Sequence, residues 1–388
     1  MGHEQHNACA IRRAHIVKRV LSIIGTRPEA IKMAPVVLEL SRYREQVKSI
    51  VCLTGQHREM LAHVLGLFSI VPDVALDVMQ PDQRLSDLSA RLLQGLDPVV
   101  AEQRPDWILA QGDTTTVLAA ALMAYYHKVP FGHVEAGLRT GDPYRPFPEE
   151  VNRRVADVIA QLLFAPTQRS RQALLREGQA DSRIVVTGNT VIDALLTVAS
   201  MPYDWEKGPL AGVPRHKRIV LVTAHRRESF GGPLEDICRA VREIAERFGP
   251  EDVHLVYPVH LNPNVRRPVE RLLAGARNIT LLEPLDYLSL VHLMKCSTLI
   301  LTDSGGIQEE APALCIPILV MRDTTERPEG IEAGVVKLVG TQRQRIVGDA
   351  TRLLTDPTAY RAMATGANPY GDGKAAQRIV SAVLGASH

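Results

Sequence analysis

Short runs of apolar residues alternate with longer amphipathic stretches along most of this chain. In the first half the apolar runs are continuous and lie at 20–24, 49–53, 107–110, 162–165 and 184–186. Continuous apolar strands indicate burial on both faces of a sheet, which is typical of parallel sheets covered by helices. The pattern therefore predicts repeated β-α-β units in an α/β fold.

The apolar rhythm stops between about 187 and 218 and then restarts. Prolines and glycines crowd this interruption, at Pro202, Gly208, Pro209, Gly212 and Pro214. Such a composition is typical of a connection between domains. Five more apolar runs follow, at 218–222, 253–256, 279–282, 299–301 and 316–320. We therefore predict two doubly wound Rossmann-like domains facing a central cleft, with ligands beyond the carboxyl ends of the strands.

The length of the chain supports this division. At 388 residues it exceeds the size at which single hydrophobic cores usually stop growing. We expect a disordered extension at 1–18, a first domain at 19–187, a linker at 188–217 and a second domain at 218–370. The extension carries histidine and arginine and lacks the apolar core of a secretion signal.

Bulk composition favours neither a charged partner nor a metal. Lys and Arg number 45 against 43 Asp and Glu, a balance that does not favour a nucleic acid or a membrane surface. The five cysteines are scattered and never form C-x-x-C, and there is no H-E-x-x-H pair, so neither disulfides nor a metal site is predicted. No apolar run has the length of a membrane span. We expect a reducing, cytoplasmic location.

A glycine turn follows one apolar run of the second half and opens a predicted helix. Ser304, Gly305 and Gly306 leave backbone N–H groups uncovered at the positive end of that helix, which favours a diphosphate. Glu310 lies further along, where a carboxylate can accept both hydroxyls of a ribose. The alternative is that Asp303 or Ser304 only caps the helix and the glycines permit a tight turn.

A second predicted helix start carries two cations. The strand predicted at 20–24 runs into Arg27 and Lys32, with Pro28 where a helix tolerates proline. The two cations lie about one helical turn apart and offer a guanidinium fork and a point charge to phosphate oxygens. The alternative is that they are ordinary solvated helix charges.

Acids and histidines follow several other predicted strands. Asp113, Glu135 and Glu149 fall near strand ends of the first half, where a closed cleft can separate carboxyl pKa values for acid–base work on a sugar carbon. For each acid singly, capping or salt bridging is the alternative. His225 and His260 follow strands of the second half, where they can donate to phosphate; a metal site is the competing interpretation.

These motifs, in this order over roughly residues 20 to 385, resemble those of the non-hydrolysing UDP-N-acetylglucosamine 2-epimerases, which share the architecture of the GT-B glycosyltransferases. The resemblance implies interconversion of UDP-GlcNAc and UDP-ManNAc, which supplies precursors of cell-surface polysaccharides. It also implies a homodimer, no nicotinamide or metal cofactor, and a C-terminal helix at about 371–388 that crosses back to the first domain.

The resemblance also assigns roles to individual residues. Proton transfer is expected of Asp113, Glu135 and Glu149 from their places at neighbouring strand ends, with His225 as a further catalytic candidate. The substrate contacts implied are Arg27, Lys32, Asp113, Glu135, His225, Leu285, Leu290, Ser304, Gly305, Gly306, Glu310 and Arg327. Family members often carry glutamine and phenylalanine where this chain has Leu285 and Leu290, so contacts to uracil depart from the family pattern. Some members bind a second, activating UDP-GlcNAc, through positions resembling Gln56, His57, Gln83, Arg226 and His260.

The chemistry explains why such residues are needed. The C2 proton of a hexosamine is not next to a carbonyl, so departure of UDP from C1 is what makes its removal feasible. Two other functions compete with the epimerase. A glycosyltransferase of the same fold requires an acceptor pocket that no motif here identifies. A nucleotide-sugar sensor would bind without turnover, and the acidic residues argue against it.

Overall fold

The computed structural model describes residues 17–55, 58–80 and 82–386, with side chains left out at 58–60. Seven of the described strands form the first sheet: β1 (Lys18–Ile24), β2 (Val47–Leu53), β3 (Val74–Ala75), β4 (Trp107–Gln111), β5 (Phe131–Val134), β6 (Leu162–Ala165) and β7 (Ile184–Val186). Their order is β3-β2-β1-β4-β5-β6-β7, and all pairs are parallel.

Six further strands form the second sheet: β8 (Arg218–Thr223), β9 (Val253–Pro258), β10 (Ile279–Leu282), β11 (Ser297–Thr302), β12 (Ile318–Val320) and β13 (Val336–Leu338). Their order is β10-β9-β8-β11-β12-β13, again with parallel pairing. Both orders reverse beside the first strand of the domain, between β1 and β4 and between β8 and β11. Ligands of doubly wound sheets bind at such points. The predicted pair of Rossmann-like domains is confirmed.

The helices of the described chain are α1 (Arg27–Arg42), α2 (Arg58–Leu67), α3 (Leu85–Gln103), α4 (Thr115–Tyr126), α5 (Glu149–Ile159), α6 (Gln168–Arg176), α7 (Thr190–Ala199), α8 (Gly232–Phe248), α9 (Pro263–Leu273), α10 (Tyr287–Lys295), α11 (Gly305–Glu310), α12 (Pro328–Glu332), α13 (Arg343–Thr355), α14 (Pro357–Ala364) and α15 (Ala375–Gly385). In the ranges described, no helix is long and apolar enough to cross a bilayer.

Helix α1 shows why the chain turns sharply after β1. Thr26 caps the helix, and its side chain and that of Glu29 form a capping box with each other's backbone N–H groups. Pro28 is the second helical residue, where its missing N–H has no helical partner to lose. Oε2 of Glu29 also accepts a hydrogen bond from the Gly25 N–H at 2.6 Å. These contacts fix the strand-to-helix turn that leads into the cleft.

The stretch expected to be a linker contains a buried helix, α7, which corrects the expectation of a plain connection at 188–217. Asn189 caps it by accepting a hydrogen bond from the Val191 N–H at 3.1 Å. Leu195 and Val198 are fully buried. The helix packs against α1 of the first domain and against α10 and α11 of the second. The prolines and glycines that suggested a linker all follow this helix.

The two ends of the described chain meet on the first sheet. Lys18 belongs to β1 and pairs with Val47, so the expected extension at 1–18 is too long by at least this residue; residues 1–16 lie outside the described part. Nζ of Lys18 donates to the carbonyl oxygens of Leu384 at 3.0 Å and Ala386 at 2.9 Å, at the end of α15. Helix α15 packs against α1.

The segment that follows β7 and the segment that precedes α15 contact each other. The Asn189 N–H donates to the carbonyl oxygen of Tyr370 at 2.7 Å. Gly188 and Gly371 are so close that a Cβ atom on Gly188 would lie 3.2 Å from the Cα atom of Gly371. Both glycines have positive φ, 88° and 134°, so each is suited to this contact by conformation as well as by size.

Candidate active site

A cavity of about 860 Å³ opens between the two domains. The residues predicted from sequence that line it are Lys32, Asp113, Glu135, Glu149, Arg226 and Arg327. The first four belong to the first domain and the two arginines to the second. Groups predicted to transfer protons therefore share one space with a cation predicted to bind the diphosphate.

Glu135 lies at the centre of a buried polar cluster. Its Oε2 accepts hydrogen bonds from Nζ of Lys32 at 2.6 Å and from Nε2 of Gln111 at 2.8 Å. Burial raises the pKa of Glu135, although the positive charge of Lys32 opposes the shift. The Glu135 backbone has a φ of 67°, and a left-handed conformation costs a non-glycine residue about 1–3 kcal/mol. The carboxylate is held in a strained position with increased proton affinity.

Asp113 follows β4 in a turn that several contacts hold. Arg153 of α5 forms an ion pair with its carboxylate, and Nδ2 of Asn152 donates to its carbonyl oxygen at 3.0 Å. The preceding Gly112 has a φ of 90°, and its carbonyl oxygen lies 2.7 Å from Nε2 of His133. The Asp113 side chain is still 28% exposed, so it is anchored and accessible at once.

His133 is fully buried and contacts the backbone of this turn at Gly112. Its Nδ1 lies 2.6 Å from Oδ1 of Asp157, while its Nε2 faces the Gly112 carbonyl, so both ring nitrogens face acceptors. A ring that donates from both nitrogens is an imidazolium. Burial alone would lower the pKa of His133, but the Asp157 carboxylate raises it above its usual value. A buried histidine placed between two acceptors therefore holds the turn that presents Asp113.

Glu149 is the first residue of α5, is half-buried and lines the cavity. No hydrogen-bond or ion-pair partner for its carboxylate occurs among the described residues. The next acid, Glu150, is fully buried and accepts hydrogen bonds from the N–H groups of Thr140 at 3.2 Å and Gly141 at 3.4 Å. Adjacent helical residues point about 100° apart, so one acid can face the cavity while the other fixes a loop.

On the second domain, Asp303 joins the two loops beside the reversal point of the sheet. Its Oδ2 accepts hydrogen bonds from the N–H groups of His225 at 2.6 Å and Arg226 at 2.7 Å. The His225 ring stacks on His260, with centroids 5.5 Å apart. Burial lowers the pKa of His225, and the charges of His260 and Arg226 lower it further against the pull of Asp303. The neutral ring is therefore favoured at neutral pH.

Ser304 occupies the N-cap position of α11 but its side chain makes no capping bond, and Asp303 is committed to the neighbouring loop. The alternative of simple helix capping is therefore not what these side chains do. Gly305 lets the Arg327 guanidinium approach the backbone closely, because a Cβ there would lie 2.9 Å from Cζ of Arg327. Gly306 is exposed. Gly305 and Gly306 present bare backbone beside a guanidinium, but the Ser304 N–H is not uncovered as predicted, because it donates to Oγ1 of Thr302 at 2.9 Å.

Glu310 lies near the end of α11 and faces away from the proton-transfer groups. Its Oε1 accepts a hydrogen bond from the Tyr287 hydroxyl at 2.6 Å. Burial raises the pKa of Glu310 from 4.5 to about 7. Tyr287 lines a second cavity of about 530 Å³, as do Arg27 and Leu285. Such an apolar and polar mixture suits a nucleoside.

Arg27 and Lys32 both belong to the first turns of α1 but line different cavities. Arg27 is exposed, lines the second cavity and has no hydrogen-bond or ion-pair partner in the ranges described, whereas Lys32 lines the first cavity beside Glu135. Leu285 is half-buried, and Leu290 is half-buried and packs on the core.

The residues predicted for an activating site have the following surroundings where the structure describes them. His260 stacks on His225, and Arg226 lines the first cavity. Nε2 of Gln83 contacts Sδ of Met79 at 2.9 Å. Gln56 and His57 lie outside the described residues.

The described residues contain no group of three or more histidines, cysteines, aspartates or glutamates that could hold a metal ion. Cys52, Cys238, Cys296 and Cys315 are free thiols.

A family model for UDP-N-acetylglucosamine 2-epimerase matches residues 39–384. The chain belongs to this family. It is 56% identical over 371 residues to the UDP-N-acetylglucosamine 2-epimerase of Escherichia coli K12, covering 94% of this chain and 98% of that protein.

Two solved structures extend the comparison. A putative UDP-N-acetylglucosamine 2-epimerase from Listeria monocytogenes superposes with a TM-score of 0.87 at 48% identity, covering 95% of this chain and 96% of the other. The UDP-GlcNAc 2-epimerase of Neisseria meningitidis, bound to UDP-GlcNAc, gives 0.84 at 46% identity, covering 94% and 99%. The GT-B-like pairing of domains is thus that of this epimerase family.

Sequence reasoning missed the side chains that hold the epimerase-family residues in place. Arg153 and His133 fix the turn at Asp113, and Asp303 fixes the loop at His225. Glu309, adjacent to Glu310, contacts Lys32 and Arg327. The available signal was the pair of adjacent acids in a short helix, because neighbouring helical positions face different surroundings.

Proposed function

We propose that this protein converts UDP-GlcNAc reversibly to UDP-ManNAc by epimerisation at C2. The observation that carries the proposal is the cavity that Asp113, Glu135 and Glu149 of the first domain share with Arg327 of the second. Arg327 in turn lies beside Gly305 of the glycine turn of α11. Acids that exchange a proton and a cation that receives a diphosphate are the two requirements of the reaction.

The reaction proceeds by elimination and re-addition of UDP. The C2–H bond breaks, its proton passes to a carboxylate, and its electron pair forms a C1=C2 double bond while the C1–O bond pair leaves with UDP. UDP then adds back to C1, and a proton returns to the opposite face of C2. No electrons are gained or lost by the protein, so the proposal needs no nicotinamide.

Backbone N–H groups at Gly305 and Gly306, with Arg327 and His225, would stabilise charge on the departing diphosphate. Ser304 would contribute its hydroxyl, because its N–H donates to Oγ1 of Thr302 at 2.9 Å. Glu310 would accept the ribose hydroxyls, and the neighbouring cavity with Arg27 and Leu285 would hold the nucleoside end. Contacts to uracil at Leu285 and Leu290 would use the backbone, because neither side chain carries a polar group. Closure of the two domains would keep water from the unsaturated sugar.

Assembly and regulation form a second part of the proposal. Tyr125 and Tyr126 at the end of α4 are exposed, as are Val151 and Val158 of the adjacent α5, and exposed apolar side chains of this kind support a homodimer interface. A second UDP-GlcNAc would activate the enzyme beside Arg226 and His260. A cytoplasmic location follows from the nucleotide-sugar substrate and the free thiols.

NMR of the purified protein with UDP-GlcNAc in deuterated water tests the reaction. We expect a mixture with UDP-ManNAc and solvent deuterium at C2 in both sugars. Epimerisation with retention of the original hydrogen would contradict elimination. Turnover that requires an added sugar acceptor would indicate a glycosyltransferase instead. Parallel incubation with UDP-glucose shows whether C2 must carry an acetamido group.

A further inference from the structure

Glu309 occupies a buried position where the two domains meet. Its Oε1 accepts a hydrogen bond from Nε of Arg327 at 2.8 Å. Its Oε2 accepts one from Nδ2 of Asn189 at 3.3 Å and lies 3.5 Å from Nζ of Lys32. The side chain is only 4% exposed. A carboxylate so enclosed is held by cations and an amide from both sides of the cleft, not by water.

Lys32 is shared between two carboxylates. Its Nζ lies 2.6 Å from Oε2 of Glu135 and 3.5 Å from Oε2 of Glu309. A continuous series of contacts therefore runs from Glu135 through Lys32 and Glu309 to Arg327. Its first member lies among the proton-transfer groups, and its last lies beside the glycine turn predicted to hold the diphosphate.

We propose that Glu309 is a positioning residue that couples departure of the diphosphate to proton transfer at Glu135. The inference rests on the proposed epimerase function. Negative charge gathers on the diphosphate as the C1–O bond breaks, and it attracts Arg327 away from Glu309. Glu309 then attracts Lys32 more strongly, and Glu135 loses part of the positive charge that stabilised its ionised form.

Glu135 is therefore the stronger base at the moment when the C2 proton must leave. Re-addition of UDP restores the original contacts: Arg327 returns to Glu309 and Lys32 returns to Glu135, a second acid of the cavity delivers a proton to the opposite face of C2, and Glu135 gives up its own proton to solvent. Glu309 itself forms and breaks no covalent bond. Its contribution is to make the two events depend on one another, so that UDP and the unsaturated sugar do not separate prematurely.

Other titratable groups lie close to Glu309 and Glu135 and affect the pKa values of these two carboxyl groups. The groups around Glu309 and Glu135 are Lys32, Arg327, Glu310, Glu326, Tyr370 and Asp113. Burial is the largest cause of the raised pKa of Glu135, and the negative charge of Glu309 raises that pKa further. Neutralising Glu309 removes that contribution, so the pH limb governed by Glu135 must move to lower pH.

The test compares Glu309→Gln with the wild type in the full-length protein, using UDP-GlcNAc as substrate. We expect kcat to fall about tenfold or more while KM changes less than about threefold, as for loss of an effect present mainly in the transition state. The pH profile of kcat should move to lower pH. Free UDP and unsaturated sugar released per epimerisation should rise about tenfold, because departure and return are no longer coupled.

Two further variants keep the test specific. Glu309→Asp retains the charge but shortens the reach, so it should release more free UDP while its pH profile stays in place. Glu332→Gln is the matched control: Glu332 also links the two domains, at 3.3 Å from Nη1 of Arg169, but it does not line the first cavity. All its kinetic values should equal those of the wild type.

Wild-type kcat, pH profile and UDP release in Glu309→Gln would overturn the inference. A lower kcat with an unmoved pH profile and no extra release would also overturn it, because that pattern indicates only a structural defect. Should Glu309→Gln fail to fold, unchanged release in Glu309→Asp would be decisive against the coupling. A wild-type protein that does not epimerise UDP-GlcNAc would refute the proposed function itself.

Discussion

The hydroxyl of Tyr287 donates a hydrogen bond to Oε1 of Glu310 at 2.6 Å, and both groups are largely enclosed by protein. Burial raises the pKa of Glu310 from 4.5 to about 7, and the hydrogen bond offsets only part of this shift. The native state therefore binds this proton more tightly than the unfolded chain does. Glu310 makes the native state progressively less stable as pH rises from about 4.5 to about 7.

We predict that Glu310→Gln raises the free energy of unfolding at pH 8 by up to about 3 kcal/mol and raises it less at pH 5. The same variant should bind UDP more weakly, because the ribose hydroxyls lose a carboxylate acceptor. Urea unfolding at both pH values and calorimetric titration with UDP measure the two effects. A stability gain that is larger at pH 5 than at pH 8 would contradict the burial argument.

The three acids of the first cavity should divide the proton-transfer work. We predict that the amide variants Asp113→Asn, Glu135→Gln and Glu149→Gln each lose roughly a hundredfold or more in turnover, the usual scale of acid–base catalysis, while UDP affinity changes less. Steady-state kinetics and UDP titration measure this. Glu246→Gln, an exposed acid of α8 paired with Arg242, serves as the control. If all three variants keep near wild-type turnover, His225 becomes the next candidate.

Arg27→Ala and Arg327→Ala should each slow turnover by about 2–4 kcal/mol in the barrier, through loss of a charged hydrogen bond to the diphosphate. Their stabilities should differ. Arg27 is exposed, so its removal should leave the melting temperature unchanged, whereas removing Arg327 leaves Glu309 without its nearest cation and should lower it.

Kinetics and thermal melts together check this prediction, with Arg44→Ala as an exposed arginine just past the other end of α1. Near-normal kinetics in both cleft variants would remove these arginines from the mechanism.

Activation by the substrate can be tested by starting from the product side. We expect purified UDP-ManNAc to react slowly until a small amount of UDP-GlcNAc is added, after which the rate should rise. His260→Ala should weaken this response, because His260 stacks on His225. Progress curves followed by NMR give the rates. Immediate full-rate conversion of UDP-ManNAc alone would show that this chain has no activating site.

The sequence predicted most strands because they are continuous apolar runs. It missed β3 and β13, which have only two and three residues at sheet edges and carry too little pattern to be recognised. It also missed β5, whose four residues include Gly132 and His133 and so form no continuous apolar run. It also misjudged α7, whose start is signalled by Asn189 and whose apolar residues precede the proline-rich stretch. The prolines and glycines at 202–214 led to the prediction of a linker for the whole of 188–217, although the residues of α7 that precede them carry a helical pattern.

Within the site, sequence identified side chains that follow strands but not those that hold them. Asp113 is separated from Arg153 by 40 residues, and Lys32 from Glu309 by far more, so neither contact has a local signature. The divergence of Arg27 and Lys32 into different cavities depends equally on where α2 and the β10–α10 loop lie. Such pairings follow from tertiary packing, which a single sequence does not encode in any short window.

The close contact of Gly188 with Gly371 is the place where we expect the two domains to pivot. Because the chain enters and leaves the second domain beside this point, a rotation there moves the nearby backbone little and the far rim of the cleft much more. Small changes in backbone angle at the two glycines are therefore expected to cause larger changes in the width of the cleft entrance. Bulkier residues at either glycine would therefore reset the resting width of the entrance without touching a substrate-binding group.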